Sequence, residues 1–227
     1  MYGYSTDDFI GFAGLGISYP IVVPFATDDL DDSVLNPSIW KETAPDGIFS
    51  ETTSLIITNP HINPGFSIFD NEVFSKFVPI DSTVTPVAYQ LDIDWTNPTN
   101  NNSNIQMCLL FDFDNYAAIG IRNMTDGAKL KLLVKSGGSF VYNFETTIPK
   151  GQRYMVSYNN TGTEIKFWHG SATGDVWSQM GTTQVYSLAG FLVTTFTGSD
   201  SASFTGGDTV LLNNWRFFKE IPTNVQA

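Results

Sequence analysis

The sequence predicts an all-β protein, built as a two-sheet antiparallel sandwich or as a barrel, and three observations carry that reading. Apolar and polar residues alternate through one run after another. Short turn-forming pairs separate the runs. No heptad, no internal repeat and no helix of more than a few turns breaks the pattern. Roughly a dozen short strands at close spacing leave these two architectures. With 227 residues, 42% of them hydrophobic and 14% aromatic, the chain is long enough to bury a substantial core.

The first element is an arm over residues 1–24, ahead of a domain over residues 25–227. Residues 9–25 read FIGFAGLGISYPIVVPF without a charge, and Asp7 and Asp8 stand before them where a signal peptide carries Lys or Arg; no secretory signal is expected. Gly11, Gly14, Gly16, Pro20 and Pro24 make the stretch too short and too interrupted for a membrane helix. Its apolar side chains are Phe9, Ile10, Phe12, Leu15, Ile17, Ile21 and Val22, a set that soluble proteins normally cover. The arm is therefore expected to dock on another copy or another protein, the blander reading being an edge strand laid on the body.

The strands of the body follow. Leu91, Ile93 and Trp95 alternate with Gln90, Asp92 and Asp94; after the turn-former cluster TNPTNNNSN, Ile105, Met107, Leu109, Phe111 and Phe113 alternate with Gln106, Cys108, Leu110 and Asp112. Further strands are expected over residues 117–122, 129–135, 139–144, 153–158, 164–168, 184–193 and 209–218. Asp126-Gly127, Gly137-Gly138, Lys150-Gly151 and Thr161-Gly162 mark turns.

Charge and side-chain chemistry narrow the function classes. Lys and Arg number 11 against 23 Asp and Glu, a net charge of −12, which repels phosphate backbones and argues against a nucleic-acid partner. Cys108 is the single cysteine, and His61 and His169 are the only histidines, so no disulfide framework, cysteine-based zinc cluster or histidine-rich metal site is available. Asp92/Asp94 and Asp112/Asp114 stand in i, i+2 pairs, each pair on one face of its strand. Alternation sets Asp92 and Asp94 opposite core-facing Leu91, Ile93 and Trp95, so they are expected on the wet side of a one-sided sheet, without a catalytic role. Asp28, Asp29, Asp31 and Asp32 concentrate hard oxygen ligands, but their loop lacks the glycine and the closing glutamate of an EF-hand. No metal site is expected, and calcium is the one ion left open.

Sugar binding needs exposed rings beside hydrogen-bonding groups. In IKFWHG, alternation turns Ile165 and Phe167 inward and Lys166 and Trp168 outward, making Trp168 the leading stacking candidate, with Tyr142 and Trp177 behind it. Trp40, Trp95 and Trp215 fall at core-facing positions.

From about Phe25 to Phe218 the order of strands resembles the concanavalin A-like lectin/glucanase jelly rolls, which include laminin G-like and carbohydrate-binding modules. FATDDLDDSVLNPSIW is similar to the opening of many such domains, with Ser54 to Ile57 as the next strand. LLFDFDNYAAIGIRN and RYMVSYNNTGTEIKFWHGSATGDVWSQ resemble two of the family's hairpins, and LLNNWRFF resembles its closing strand. The resemblance implies a jelly-roll sandwich. The glucanase branch carries a Glu-x-Asp-x-x-Glu strand whose two glutamates attack and protonate the glycosidic bond; this chain has no such string, and a non-enzymatic protein is expected. The uncharged arm and the lack of a signal peptide resemble virion surface proteins of bacteriophages. That resemblance implies a capsid decoration or fibre component, held through the arm to its own copies or to a capsid or tail protein and facing a cell-surface glycan. The alternative is a free or secreted carbohydrate-binding module, and after it a glycoside hydrolase.

Overall fold

The computed structural model describes residues 26–29, 31, 40–42, 49–51, 55–58, 72–75, 80–81, 86–96, 104–112, 114–122, 129–147, 152–159, 161, 163–171, 177–188, 192–200 and 209–219. The regular structure among them is all strand: β1 (Ala26–Asp28), β2 (Trp40–Glu42), β3 (Phe49–Glu51), β4 (Leu55–Thr58), β5 (Glu72–Ser75), β6 (Ile80–Asp81), β7 (Val87–Thr96), β8 (Asn104–Asp112), β9 (Asn115–Arg122), β10 (Lys129–Ser136), β11 (Ser139–Thr147), β12 (Gln152–Asn159), β13 (Glu164–Ser171), β14 (Trp177–Val185), β15 (Leu192–Asp200) and β16 (Thr209–Phe218).

They form two antiparallel sheets. One runs β14-β13-β12-β7-β16-β4-β3, with β1 also on β16; the other runs β11-β10-β9-β8-β15-β5-β2, with β6 also on β15. β4 and β1 share one side of β16, taking its first and second halves in turn. Consecutive strands β7 and β8, β11 and β12, and β14 and β15 lie in opposite sheets, so the chain crosses between layers as a sandwich requires.

The core between the sheets follows the period of two. Val87, Tyr89, Leu91 and Ile93 enter it from β7, Leu130, Leu132 and Val134 from β10, and Tyr154, Val156 and Tyr158 from β12. Each large apolar side chain fully buried there contributes about 1.5–3 kcal/mol. In β16 the step between Leu212 and Trp215 is three residues, because Asn214, at φ 54°, takes up an extra residue where the pairing with β7 shifts. Trp215 and Phe167 are fully buried, as their positions predict, and Phe111 packs at the margin of the core, edge-on to Tyr158 with centroids 5.1 Å apart. The side chains of Trp40 and Trp95, and the whole arm of residues 1–24, lie outside the described residues.

The outward faces differ from expectation. Ala88, Met155, Trp168, Trp177 and Phe218 form a second buried cluster on the far face of the first sheet. Cys108, Tyr116, Ala118 and Leu133, with Leu110 against them, form a third on the far face of the second sheet. A one-sided sheet is therefore not what β7 belongs to. Asp92 does face away from the core, but only 13% of its side chain is exposed.

Strand boundaries were legible in part. The structure places β16 over the expected 209–218. It replaces the expected strand over 184–193 with the end of β14 at Val185 and the start of β15 at Leu192. The cause is a bulge in β14. Phe167 pairs with Met180 while Ile165 pairs with Gln184, so Gly181, Thr182 and Thr183 stand against Lys166 alone and the alternation slips.

Candidate functional site

β11 and β14 are the outermost strands of the two sheets at the same side of the sandwich, and both are bulged there. In β11 the extra residue is Val141, between Tyr142 opposite Val134 and Phe140 opposite Lys135. In β14 the bulge opens on Gly181, whose φ of 64° favours glycine. Space demands glycine as well: a Cβ here would lie 2.5 Å from Tyr142 Oη and 3.2 Å from Leu132 Cδ1. Tyr142 thus reaches from one sheet to the backbone of the other. Bulges at sheet edges commonly re-aim side chains in this way.

Tyr142 stands in a line of rings. Its ring is stacked with Phe167 on the core side (6.2 Å, 15°) and with Phe144 on the outer side (6.2 Å, 11°). Phe144 is 40% exposed, so the line runs from a fully buried ring to one that meets solvent. Val185 and Phe140 add exposed apolar surface on the same two strands. Tyr186 donates its hydroxyl proton to the carbonyl of Val141 (3.3 Å), fixing the chain after β14 to the bulge of β11.

With one exception the polar groups of this rim are neutral. Gln179 Nε2 donates to Thr183 Oγ1 (3.2 Å), and Gln184 Nε2 donates to Thr182 O (2.9 Å) and Oγ1 (2.8 Å). Glu145 is the one charged residue in the sequences of β11 and β14. Near-parallel rings with an exposed face, beside amides and hydroxyls, offer stacking and hydrogen bonding without net charge.

The three ring residues singled out in the sequence separate into two places. Trp168 faces away from the core, as alternation requires, but it is 4% exposed and Trp177 is 3% exposed. The structure brings these two together in one cluster, where Trp168 Nε1 donates to Ser157 Oγ (3.0 Å). They are covered by packing, contrary to the open platform expected of Trp168. Tyr142, half-buried, belongs to the rim. Phe144 was missed, although it stands two residues from Tyr142 and so on the same face of the same strand.

Asp92, Asp112 and Asp114 have visible work. Asp92 accepts from Arg153 Nε (2.7 Å) and Nη2 (3.0 Å), and from Asn214 Nδ2 (2.8 Å). Asn214 Oδ1 in turn accepts from Arg216 Nη2 (3.3 Å), which also pairs with Asp29. Asp112 Oδ1 accepts from the Asp114 amide (2.8 Å) and from Asn115 Nδ2 (2.9 Å), holding the β8–β9 turn. Asp114 pairs with Lys135 (3.1 Å), and Asn115 Oδ1 accepts from the Gly137 amide (3.0 Å), lacing that turn to the next hairpin. Among the described residues there is no group of three or more His, Cys, Asp or Glu able to hold a metal. Of the acidic run, Asp29 is taken up by Arg216, and the side chains of Asp28 and Asp32 lie outside the described residues.

No protein-family model matches the chain, and no curated protein matches it. Solved structures do share its fold. A GH43 protein of Bacillus licheniformis superposes with a TM-score of 0.62 at 12% identity, over 85% of this chain and 39% of that one. A xylan β-1,4-xylosidase of Bacillus halodurans gives 0.60 at 11% identity, over 89% and 40%. A β-1,3-glucanase of Mycobacterium marinum gives 0.54 at 15% identity, over 89% of this chain and 100% of that one. The chain spans about two fifths of the first two proteins' length.

At these identities the likeness is one of fold, an antiparallel two-sheet β-sandwich that glycoside hydrolases also use. It also corrects the expectation of a non-enzymatic protein. Glycoside hydrolases share this fold, and the β-1,3-glucanase is matched along its whole length. The missing Glu-x-Asp-x-x-Glu string removes one catalytic template and not the class.

Proposed function

We propose that the protein binds carbohydrate and that the β11–β14 rim is where it does so. The observation that carries this reading is the stacked pair Tyr142 and Phe144, with Phe144 open to solvent and set against the β14 bulge at Gly181, where Thr182 and Gln184 supply an uncharged hydroxyl and amide. The apolar face of a pyranose stacks on such a ring while its hydroxyls reach the neighbouring amides. The fold shared with glycoside hydrolases supports the same reading.

A glycan array on the purified chain tests it, with hits followed by calorimetry on Phe144→Ala and on a Trp168→Phe control. Loss of one ring contact worth about 1.4 kcal/mol weakens binding about tenfold. Equal affinity of wild type and Phe144→Ala for every hit refutes the rim as the site. Incubating each hit with the protein and measuring released sugar decides whether binding leads to hydrolysis. Display on a virion, with residues 1–24 as the attachment to a capsid or tail protein, extends the reading. It rests on the sequence resemblance, and electron microscopy of purified particles tests it.

A further inference from the structure

β12 and β13 pair Tyr154 with His169. Cross-strand partners project from the same face of a sheet. Here it is the face that also carries Val156 and Phe167 into the core. Tyr154 Oη and His169 Nδ1 are both shut off from solvent, and neither meets a hydrogen-bond partner among the described residues. Tyr154 is fully buried. A buried polar atom without a partner costs about 1–3 kcal/mol, and such atoms are rare enough in native proteins that each calls for a reason. Two on adjacent strands, at one cross-strand pair, call for the same one.

The chemistry of the two atoms restricts what satisfies both. Burial, reinforced by the charge of Asp94, pushes the Tyr154 hydroxyl well above the ordinary phenol range, so it stays protonated and donates. Nδ1 of a neutral imidazole accepts or donates according to tautomer. An ammonium cannot accept from the phenol. An anion is opposed by Asp94. A carbonyl oxygen serves only the tautomer that carries its proton on Nδ1. A hydroxyl serves either: its oxygen accepts from the phenol, its proton goes to a bare Nδ1, and its second lone pair accepts from an Nδ1 that carries the proton. A phenol and one imidazole nitrogen are too few donors for a closed metal site.

We propose that Tyr154 and His169 together hold one hydroxyl group, brought either by a water molecule or by an alcohol. This site adjoins the inner end of the rim's stack: His169 is two residues along β13 from Phe167, on the same face of the strand.

Two measurements on the full chain test it. A high-resolution crystal structure, grown once without polyol and once in glycerol, should show an oxygen about 2.7–3.2 Å from both atoms. A lone oxygen in both crystals assigns the site to water; glycerol in the second assigns it to an alcohol. Nitrogen NMR of the imidazoles should show the His169 Nδ1 resonance displaced in Tyr154→Phe. The proposal is overturned if no oxygen lies within reach of both atoms, if Tyr154 and His169 bond to each other directly, or if His169 Nδ1 is unmoved in Tyr154→Phe. The crystallographic arm needs no variant, so a misfolded Tyr154→Phe leaves the test intact.

Discussion

The centre of the first sheet and the β11–β14 rim both combine rings with polar side chains, and they use them in opposite ways. On β7, β12 and β16 ion pairs and the amide beside them spend themselves on one another: Arg153 on Asp92, Asn214 on the same carboxylate, Arg216 on Asp29. The rings beside them, Trp168 and Trp177, are covered. At the rim the polar groups apart from Glu145 are neutral, the backbone is bulged, and the ring line ends in solvent at Phe144. Saturated hydrogen bonding with buried rings marks a place that holds the fold, whereas an open ring beside amides marks a place with capacity left for a ligand.

Four variants break or sharpen that contrast. Arg153→Met strips Asp92 of its two-pronged partner while the carboxylate stays largely covered. A loss of about 3 kcal/mol is expected in chemical denaturation, largely restored when Asp92→Leu is added. If Arg153→Met costs nothing, the centre is not held by its ion pair.

Gly181→Ala comes next. It imposes a side chain on a left-handed backbone and pushes Tyr142 aside, for about 1–2 kcal/mol in thermal melts, and it weakens glycan binding by displacing the stack. Trp168→Phe should cost about 1 kcal/mol, from the lost hydrogen bond to Ser157, and leave glycan binding unchanged. A binding defect there would move the site back to the face chosen from the sequence. Smallest in stability is Phe144→Ala, below about 1 kcal/mol because the ring is half in water, although its effect on glycan affinity is the one that matters.

The elements read correctly from the sequence are those whose signal is local. β16 was legible because Thr209 to Phe218 reads as one strand, and the β8–β9 hairpin because Asp112 and Asn115 close it through their own side chains. The boundary between β14 and β15 was not, since the bulge at Gly181 depends on Tyr142, some forty residues earlier. Trp168 shows the limit most clearly. Alternation gave its face, but its cover comes from Ala88, Met155, Trp177 and Phe218, on four different strands that only the topology brings together. The rim's chemistry was half visible: Tyr142 was named for its ring, while Phe144 and Gly181 gain meaning only once β11 and β14 meet.

The two bulges carry a consequence for life at high concentration. A strand at the end of a sheet offers a row of amide and carbonyl groups on which another chain can template itself, and proteins usually deter this with lysines, prolines or buried charge. β11 and β14 have neither lysine nor proline. What they have is a hydrogen-bonding row broken out of step at Val141 and again at Gly181, so an incoming strand that registers on one half of either edge is out of register on the other. The irregularities that aim Tyr142 also keep one molecule from growing onto the next as a continuous ladder.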